Sequence, residues 1–137
     1  MNRNDFRRLA RIRIKEARVL LREERYDGAY YLCGYAVECG LKACIAKATR
    51  RSEFPDLDKV KASYTHDLTA LVKQAGLKSF LETEAASDAD FDRYWAVAKD
   101  WSEKARYIEH AERKARDLFR AVTDRQHGVM RWLRKYW

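Results

Sequence analysis

A chain of 137 residues, 47% of them hydrophobic, is long enough to bury one sizeable core, which excludes a disordered chain. One proline and five glycines exclude a turn-rich β architecture, and the dominance of Ala, Leu, Arg, Lys and Glu favours helices. The formal net charge of +8 is uneven: residues 1–25 carry +5, residues 104–137 carry +6, and the middle carries −3. Basic ends around an acidic middle indicate a polyanionic partner or self-association, with a solvated basic surface as the alternative.

Two long helices are predicted in the first part of the chain. The first begins after a cap at Asn4 and runs to about Glu24, with an apolar stripe on one side and arginines over much of the rest. The second begins after a cap at Asp27 and continues to about Thr49. A break in the apolar pattern just before Asp27 separates the two helices.

The second helix is apolar along residues 29–46 except for Glu38 and Lys42. Because Glu precedes Lys by four residues, the two side chains lie on one helical face in the order that favours an ion pair. We expect a structural, buried or half-buried pair that orients Tyr64 or His66, or that lies in a dimer interface. The apolar stretch is near transmembrane length, but its charges, glycines and cysteines favour a core helix of a soluble protein.

Small residues of the second helix carry two further expectations. Gly34 and Gly40 cost helix propensity, and close approach of another helix is the usual reason for such glycines. The spacings of Cys33, Cys39 and Cys44 match no common zinc or redox motif, so we expect buried thiols in a reducing, cytoplasmic setting. No signal peptide is predicted, because no apolar region follows the basic start.

The middle of the chain contains the only good loop candidate, residues 50–64, with the sole proline at Pro55. A short helix is predicted from His66 to Ala75, capped by Thr65 and followed by Gly76 as its terminating residue. The pattern therefore changes from a long core helix to short elements in this region.

The remainder of the sequence predicts further helices at about Leu77–Thr83, after Ser87-Asp88, and over Ser102–Thr123, the last of these long. Gly128 then separates a terminal basic, aromatic segment, GVMRWLRKYW. Strand-like alternation and internal repeats are absent from the sequence. We predict an all-α fold, one domain over residues 1–137, arranged as an up-and-down bundle of four main helices with short additional helices.

Three stretches, ERYDGAYYLCGYAVECGLKACIAK, YTHDLTALV and DWSEKARY, resemble in this order the HEPN domain family. Small bacterial members share a Glu-x-x-x-Lys-Ala signature in the second helix, matched here by Glu38, Lys42 and Ala43. They also begin the third helix with His-Asp-Leu, matched from His66 onward. The resemblance covers at least residues 22–122.

This resemblance implies a helical bundle that often forms homodimers. Many members of the family are metal-independent ribonucleases, others pair with a small nucleotidyltransferase in toxin–antitoxin systems, and others bind nucleotides or RNA without cutting. Catalytic members carry an Arg-x(4–6)-His motif, and two such motifs meet across a dimer to form one site. We expect no cofactor and no metal, because no His/Cys/Asp/Glu cluster has metal-ligand spacing and no nucleotide-binding glycine motif is present.

Two Arg/His pairs come near the catalytic motif. Arg106 and His110 occupy the place where the resemblance implies the arginine, with a spacing of x3, and a regular helix would put both on one face. Arg120 and His127 have the spacing x6, across a predicted helix end. Such a histidine would move a proton of the ribose, and the arginine would stabilise charge on the phosphate. The alternative is structural: Arg106 pairs with Glu103 or another nearby carboxylate, and His110 lies on a solvated face.

Nucleotide or RNA contacts are predicted at two places. Lys42, Tyr64 and His66 surround the start of the third helix, where backbone donors attract an anion, although His66 is also explained as a structural histidine. The C-terminal segment mixes aromatic rings with Arg131, Arg134 and Lys135, which suits stacked bases and phosphates. Its alternative is a terminal helix that packs its apolar stripe, Trp132, Leu133 and Tyr136, on the bundle.

Three hypotheses for the function follow from these observations. The first is a HEPN-like module that binds RNA or a nucleotide, as a homodimer and in partnership with a small nucleotidyltransferase in a toxin–antitoxin or defence context. The second is a metal-independent endoribonuclease toxin with a composite Arg/His site across a homodimer, and the third is a structural subunit of a larger assembly. The imperfect spacing of the Arg/His pairs favours the first hypothesis. No membrane partner is expected.

Overall fold

A computed structural model describes residues 1–49 and 56–137, which contain eight α-helices, one 3-10 helix and no strand. The helices are α1 Arg3–Arg22, α2 Tyr26–Ala48, α3 Leu57–Ala62, α4 Leu68–Gln74, α5 Lys78–Ser87, α6 Ala89–Lys99, the 3-10 helix Glu103–Tyr107, α7 Glu112–Thr123 and α8 Val129–Leu133. The longest four, α1, α2, α6 and α7, are the main helices of the bundle, which confirms the all-α prediction. Within the described ranges, none of these helices combines the length and the apolarity that crossing a membrane requires.

Helix α1 packs lengthwise against α2 because its apolar residues recur on one side. Ala10 and Ala17 are fully buried in this seam, and such small side chains let two helix backbones come close. The cap of α1 is Asn2, so the predicted cap at Asn4 is wrong. The Asn2 side chain accepts a hydrogen bond from the backbone N–H of Asp5 at 3.0 Å, and the Asp5 carboxylate accepts one from the backbone N–H of Asn2 at 3.0 Å.

Helix α2 is the centre of the bundle, in contact with α1, α4, α7, α8 and the 3-10 helix. Its glycines permit two close approaches. A Cβ at Gly34 would lie 2.2 Å from the ring of Trp101, which follows α6. The close neighbour of Gly34 is therefore a tryptophan side chain and not the expected helix. Gly40 faces Leu133 and Met130 of α8, as expected. The three cysteines are buried and free, which confirms their expected role as small apolar residues.

The segment between α2 and α5 contains one more helix than predicted. Residues 50–55 of the predicted loop, including Pro55, lie outside the described residues, but the rest of that loop contains α3. Its cap is Asp56, whose carboxylate accepts the N–H of Asp58 at 3.0 Å. The cap of α4 is Asp67 rather than Thr65, because the Asp67 carboxylate accepts the N–H of Ala70 at 2.9 Å.

Two further boundaries concern α4 and the helices after it. Gly76 has φ of +72° directly after the cap of α4, which confirms it as the terminating residue. Helix α5 continues to Ser87, beyond the predicted Thr83. Asp88 caps α6 as expected, because its carboxylate accepts the N–H of Asp90 at 3.0 Å and of Phe91 at 3.1 Å.

The predicted long helix over Ser102–Thr123 is wrong. The chain forms the 3-10 helix, becomes extended between Ile108 and Ala111, and starts α7 at Glu112. The reason is tertiary: the backbone N–H of His110 donates to the Asp27 carboxylate on α2 instead of closing a helical turn. The predicted cap at Asp27 is therefore also wrong, since α2 begins at Tyr26 and Asp27 holds this later segment.

The C-terminal segment packs into the bundle, which confirms the alternative interpretation of its aromatic residues. Trp132 and Leu133 are fully buried, and the Trp132 ring lies 5.5 Å from that of Phe91 and 5.3 Å from that of Tyr136, centre to centre. Trp137 is 5% exposed. The rings of Trp132 and Trp137 are therefore part of the core and are not free to stack on bases.

Candidate nucleic-acid interface

The fold brings the two basic ends of the chain together. The Arg3 guanidinium donates a hydrogen bond to the carbonyl oxygen of Trp137 at 2.6 Å. The guanidinium groups of Arg7 and Arg11 lie over the Trp137 ring, 5.6 and 5.1 Å from its centre. Farther along α1, Arg18 lies 5.7 Å from the centre of the Phe119 ring on α7. The arginines of α1 therefore border α7 and the C-terminal segment.

These contacts lie along a row of cations that we call the basic strip: Arg7, Arg8, Arg11, Lys15, Arg18 and Arg22. At 3.6 residues per turn, the six positions fall within a sector of about 100° around α1. The two acids of α1, Asp5 and Glu16, lie outside this sector. Apart from the Arg8–Asp5 contact at 3.3 Å, the strip makes no ion pair within the part of the chain that the structure describes.

The predicted C-terminal cations lie beside the basic strip. Arg131 and Arg134 line a cavity of about 250 Å³ together with Arg18 and Arg125, two residues that sequence reasoning missed. Arg131 also pairs with Glu84 at 2.7 Å, and the Lys135 ammonium lies 4.0 Å from the same carboxylate. A helical projection of α1 could have found Arg18, whereas the place of Arg125 depends on the turn after α7.

The first predicted catalytic pair does not share a helical face. Arg106 is exposed at the end of the 3-10 helix, with its guanidinium 4.9 Å from the centre of the Tyr107 ring. His110 is buried: its ring stacks on Tyr30 at 4.1 Å between centres, and its Nε2 lies 3.1 Å from the carbonyl oxygen of Ala105. The alternative of a solvated His110 is therefore wrong. The imidazole packs the extended segment onto α2.

The expected ion pair of Arg106 with Glu103 is likewise not found among the described residues. The Glu103 carboxylate instead lies 3.1 Å from Nε2 of His66. Arg106 is consequently an exposed cation whose nearest described aromatic partner is the exposed Tyr107.

The second predicted pair is separated by the end of α7. Arg120 is exposed on that helix, and His127 lies in the following turn. The Nδ1 of His127 is 2.7 Å from the Asp88 carboxylate, which raises the pKa of His127 and lowers that of Asp88. This contact joins the turn before α8 to the cap of α6.

The Asp90 carboxylate lies 3.8 Å from Nε2 of His127. Ligand atoms of Asp88, Asp90 and His127 lie within 4.8 Å of one another, a distance compatible with a cation. Two of the three groups already have partners, because Asp88 caps α6 through one carboxylate oxygen and binds His127 through the other. The geometry is that of an internal ion pair.

The two charges inside α2, Glu38 and Lys42, form a cluster around a buried carboxylate. Glu38 is 2% exposed and accepts hydrogen bonds from Lys42 and from Nδ1 of His66, each at 2.9 Å. The two side chains thus form the ion pair that their spacing favours, and the same carboxylate oxygen contacts His66. Because Glu38 and Glu103 flank the imidazole, the electrostatics at His66 disfavour a phosphate. Tyr64 is 76% exposed and lines, with Lys42 and Phe6, a separate cavity of about 380 Å³.

Comparison with known proteins adds one finding. The model of the HEPN domain family matches residues 4–136, nearly the whole chain. No curated protein and no solved structure gives a significant match. The all-helical bundle agrees with this match. The chain belongs to the HEPN domain family.

Proposed function

We propose that this protein is an RNA-binding module that contacts the sugar–phosphate backbone with the basic strip of α1. The observation that carries the proposal is the meeting of the two basic ends of the sequence on one side of the bundle. Arg7 and Arg11 lie against Trp137, and Arg18 lies against α7. Cations that are far apart in the sequence therefore lie on one side of the protein, where their electrostatic potentials add and attract a polyanion.

The dimensions of the strip suit a nucleic-acid strand. From Arg8 to Arg22 the helix rises by about 21 Å, long enough to pass several successive phosphates. The arginine fork binds a phosphate through paired N–H donors, and side chains already resting on aromatic rings lose less freedom on binding. RNA is favoured as the partner because the HEPN domain is consistent with RNA-related roles.

The geometry does not favour cleavage by the first Arg/His pair, Arg106 and His110. A general acid or base has to reach the proton that it transfers, and the His110 imidazole is buried against Tyr30 with Nε2 on the Ala105 carbonyl. The His127 imidazole is held by Asp88. The function we propose therefore does not require either histidine to act on RNA.

The test is the salt dependence of RNA binding, measured by fluorescence anisotropy with a labelled single-stranded oligonucleotide. The variant Arg8→Gln/Lys15→Gln/Arg22→Gln removes three exposed charges of the strip. We expect weaker binding, and a slope of log K against log salt that is shallower by about 0.7 for each lost phosphate contact. A matched control removes three exposed lysines elsewhere, Lys73, Lys78 and Lys99, and we expect it to bind nearly as the wild type does.

Equal weakening by the two triple variants would refute the strip as the interface, and absence of RNA binding by the folded wild type would refute the function. Cleavage of end-labelled RNA in EDTA, if it is lost in His110→Ala or His127→Ala, would establish the endoribonuclease alternative instead. The homodimer and the nucleotidyltransferase partner stay predictions from the family. Light scattering of the purified protein tests the homodimer.

A further inference from the structure

The cavity between α1 and the C-terminal segment has the character of an anion site. Its lining includes the buried residues Ile14 and Met130. Its arginines come from three separate elements: α1, the turn after α7, and α8 with the residues that follow it. Its volume is about 250 Å³. The cavity therefore has four arginines around one concave, partly apolar site.

The charges around this cavity do not cancel. Arg131 is neutralised by Glu84 at 2.7 Å, whereas Arg18, Arg125 and Arg134 form no ion pair within residues 1–49 and 56–137. The opposing charge in the lining is the carboxylate of Asp124. One oxygen of that carboxylate, Oδ2, accepts the backbone N–H groups of Gln126 and His127, at 3.2 and 2.8 Å, and so is engaged by its own loop.

We propose that this cavity binds the terminal phosphomonoester of an RNA strand, an inference that rests on the RNA-binding function proposed above. A phosphomonoester carries about −1.5 to −2 charges near neutral pH, against −1 for an internal phosphodiester, and so matches three uncompensated arginines better. It also offers three terminal oxygens to the arginine forks. Arg18 belongs to both the cavity and the basic strip, so a strand that ends in the cavity continues along α1.

A strand end also fits the shape of the site better than an internal phosphate does. An internal phosphodiester needs a path into the cavity and a path out of it, whereas a terminal phosphate needs one path. Arg18, which lines the cavity and also belongs to the basic strip, provides that path. The proposal therefore predicts recognition of the chemical state of the strand end.

The experiment compares one labelled RNA sequence bearing a 5′-phosphate, a 3′-phosphate or hydroxyls at both ends, by anisotropy, with inorganic phosphate as a competitor. The test variant is Arg125→Gln/Arg134→Gln, which spares Arg131 because of its pair with Glu84 and spares the basic strip. The control is Lys73→Gln/Lys78→Gln, which removes the same charge elsewhere. Circular dichroism and thermal midpoints verify that both variants are folded.

We expect the wild type and the control to bind one phosphorylated end about tenfold tighter than the hydroxyl RNA, with the preferred end fixing the polarity of the strand. We expect the test variant to lose this preference while its affinity for the hydroxyl RNA changes by about twofold or less. Inorganic phosphate should reduce the preference without displacing the hydroxyl RNA.

Two results would overturn the inference and leave the proposed function in place: equal affinity of the wild type for all three RNAs, or a preference that survives in Arg125→Gln/Arg134→Gln. Failure of the wild type to bind any of the RNAs would overturn both. The three RNAs therefore separate a failure of the cavity from a failure of the RNA-binding function.

Discussion

The Nδ1 atom of His66 lies 2.9 Å from Oε1 of Glu38, whose carboxylate is buried at the centre of α2. The contact joins positions 28 residues apart and fixes the chain just before α4. Lys42 reaches the same oxygen at 2.9 Å. The buried Glu38 carboxylate depends on its hydrogen bonds to Lys42 and His66, because water does not replace these partners in the core.

We predict that Lys42→Met destabilises the protein more than the double variant Glu38→Leu/Lys42→Met does. The single change leaves the buried carboxylate with only His66, at a cost of about 3 kcal/mol of unfolding free energy, whereas the double change removes both charges. Urea unfolding of the two variants and the wild type measures this. Equal losses in the single and double variants would contradict burial of the pair as the reason for its stability.

We predict that Gly34→Ala lowers the unfolding free energy by about 1–3 kcal/mol, because the added Cβ would lie 2.2 Å from the buried Trp101 ring. The matched variant is Gly40→Ala, whose Cβ would lie 3.2 Å from the end of the flexible Leu133 side chain. There the gain of about 1 kcal/mol in helix propensity offsets the crowding. Thermal unfolding compares them, and a Gly40→Ala variant as unstable as Gly34→Ala would exclude this explanation.

We predict a pH-dependent contribution to stability from Asp88 and His127. Each holds the other in its charged form: the pKa of Asp88 is lowered by His127, and the pKa of His127 is raised by Asp88. The histidine's contribution is therefore present at low pH and lost as the pH rises through its raised pKa. The aspartate's contribution is lost as the pH falls through its lowered pKa.

The Asp88→Asn variant tests this pair, because asparagine still caps a helix. We expect NMR titration of the His127 ring to show its pKa falling toward the ordinary 6.5 in this variant. Asp92→Asn, an exposed change in the same first turn of α6, serves as the control and should leave that titration unchanged. A His127 titration that is equal in wild type and Asp88→Asn would refute the coupling.

We predict that the thiols are inert in the folded protein. Burial raises the pKa of Cys39 and of Cys44 to about 11, and it raises that of Cys33 as well. The thiolate fraction at neutral pH is then lower than that of an unperturbed cysteine by about a hundredfold. A thiol reagent should label the native protein slowly. After unfolding, the same reagent should label all three cysteines. Rapid labelling of any native cysteine would contradict this burial.

The sequence pattern predicted the centre of the fold well because that centre depends on local periodicity. A long apolar helix belongs in the core, and Glu38 and Lys42, four residues apart on it, are placed to form an ion pair. The structure contains both the helix and the ion pair. The caps were less predictable: Asn2 and Asn4 are equally good caps on chemistry alone, and the reciprocal bond with Asp5 selects Asn2.

Neither the break before α7 nor the arginine cavity could be predicted from the sequence pattern, and the physical cause is the same for both. The break depends on a bond between Asp27 and the backbone of His110, 83 residues away, and the intervening pattern is compatible with a helix. The cavity likewise joins Arg18 to Arg125 across the bundle. Sites made of residues from distant elements are visible only when the packing of those elements is known.

The burial of Trp132 has a consequence for synthesis of this protein. The fully buried Trp132 packs against Phe91 on α6, and α8 also closes over Gly40 of α2. During translation, the helices before α8 therefore leave the ribosome with this apolar surface uncovered. Until residue 132 emerges, this apolar surface has no partner within the chain, and such transiently exposed surface is prone to aggregation.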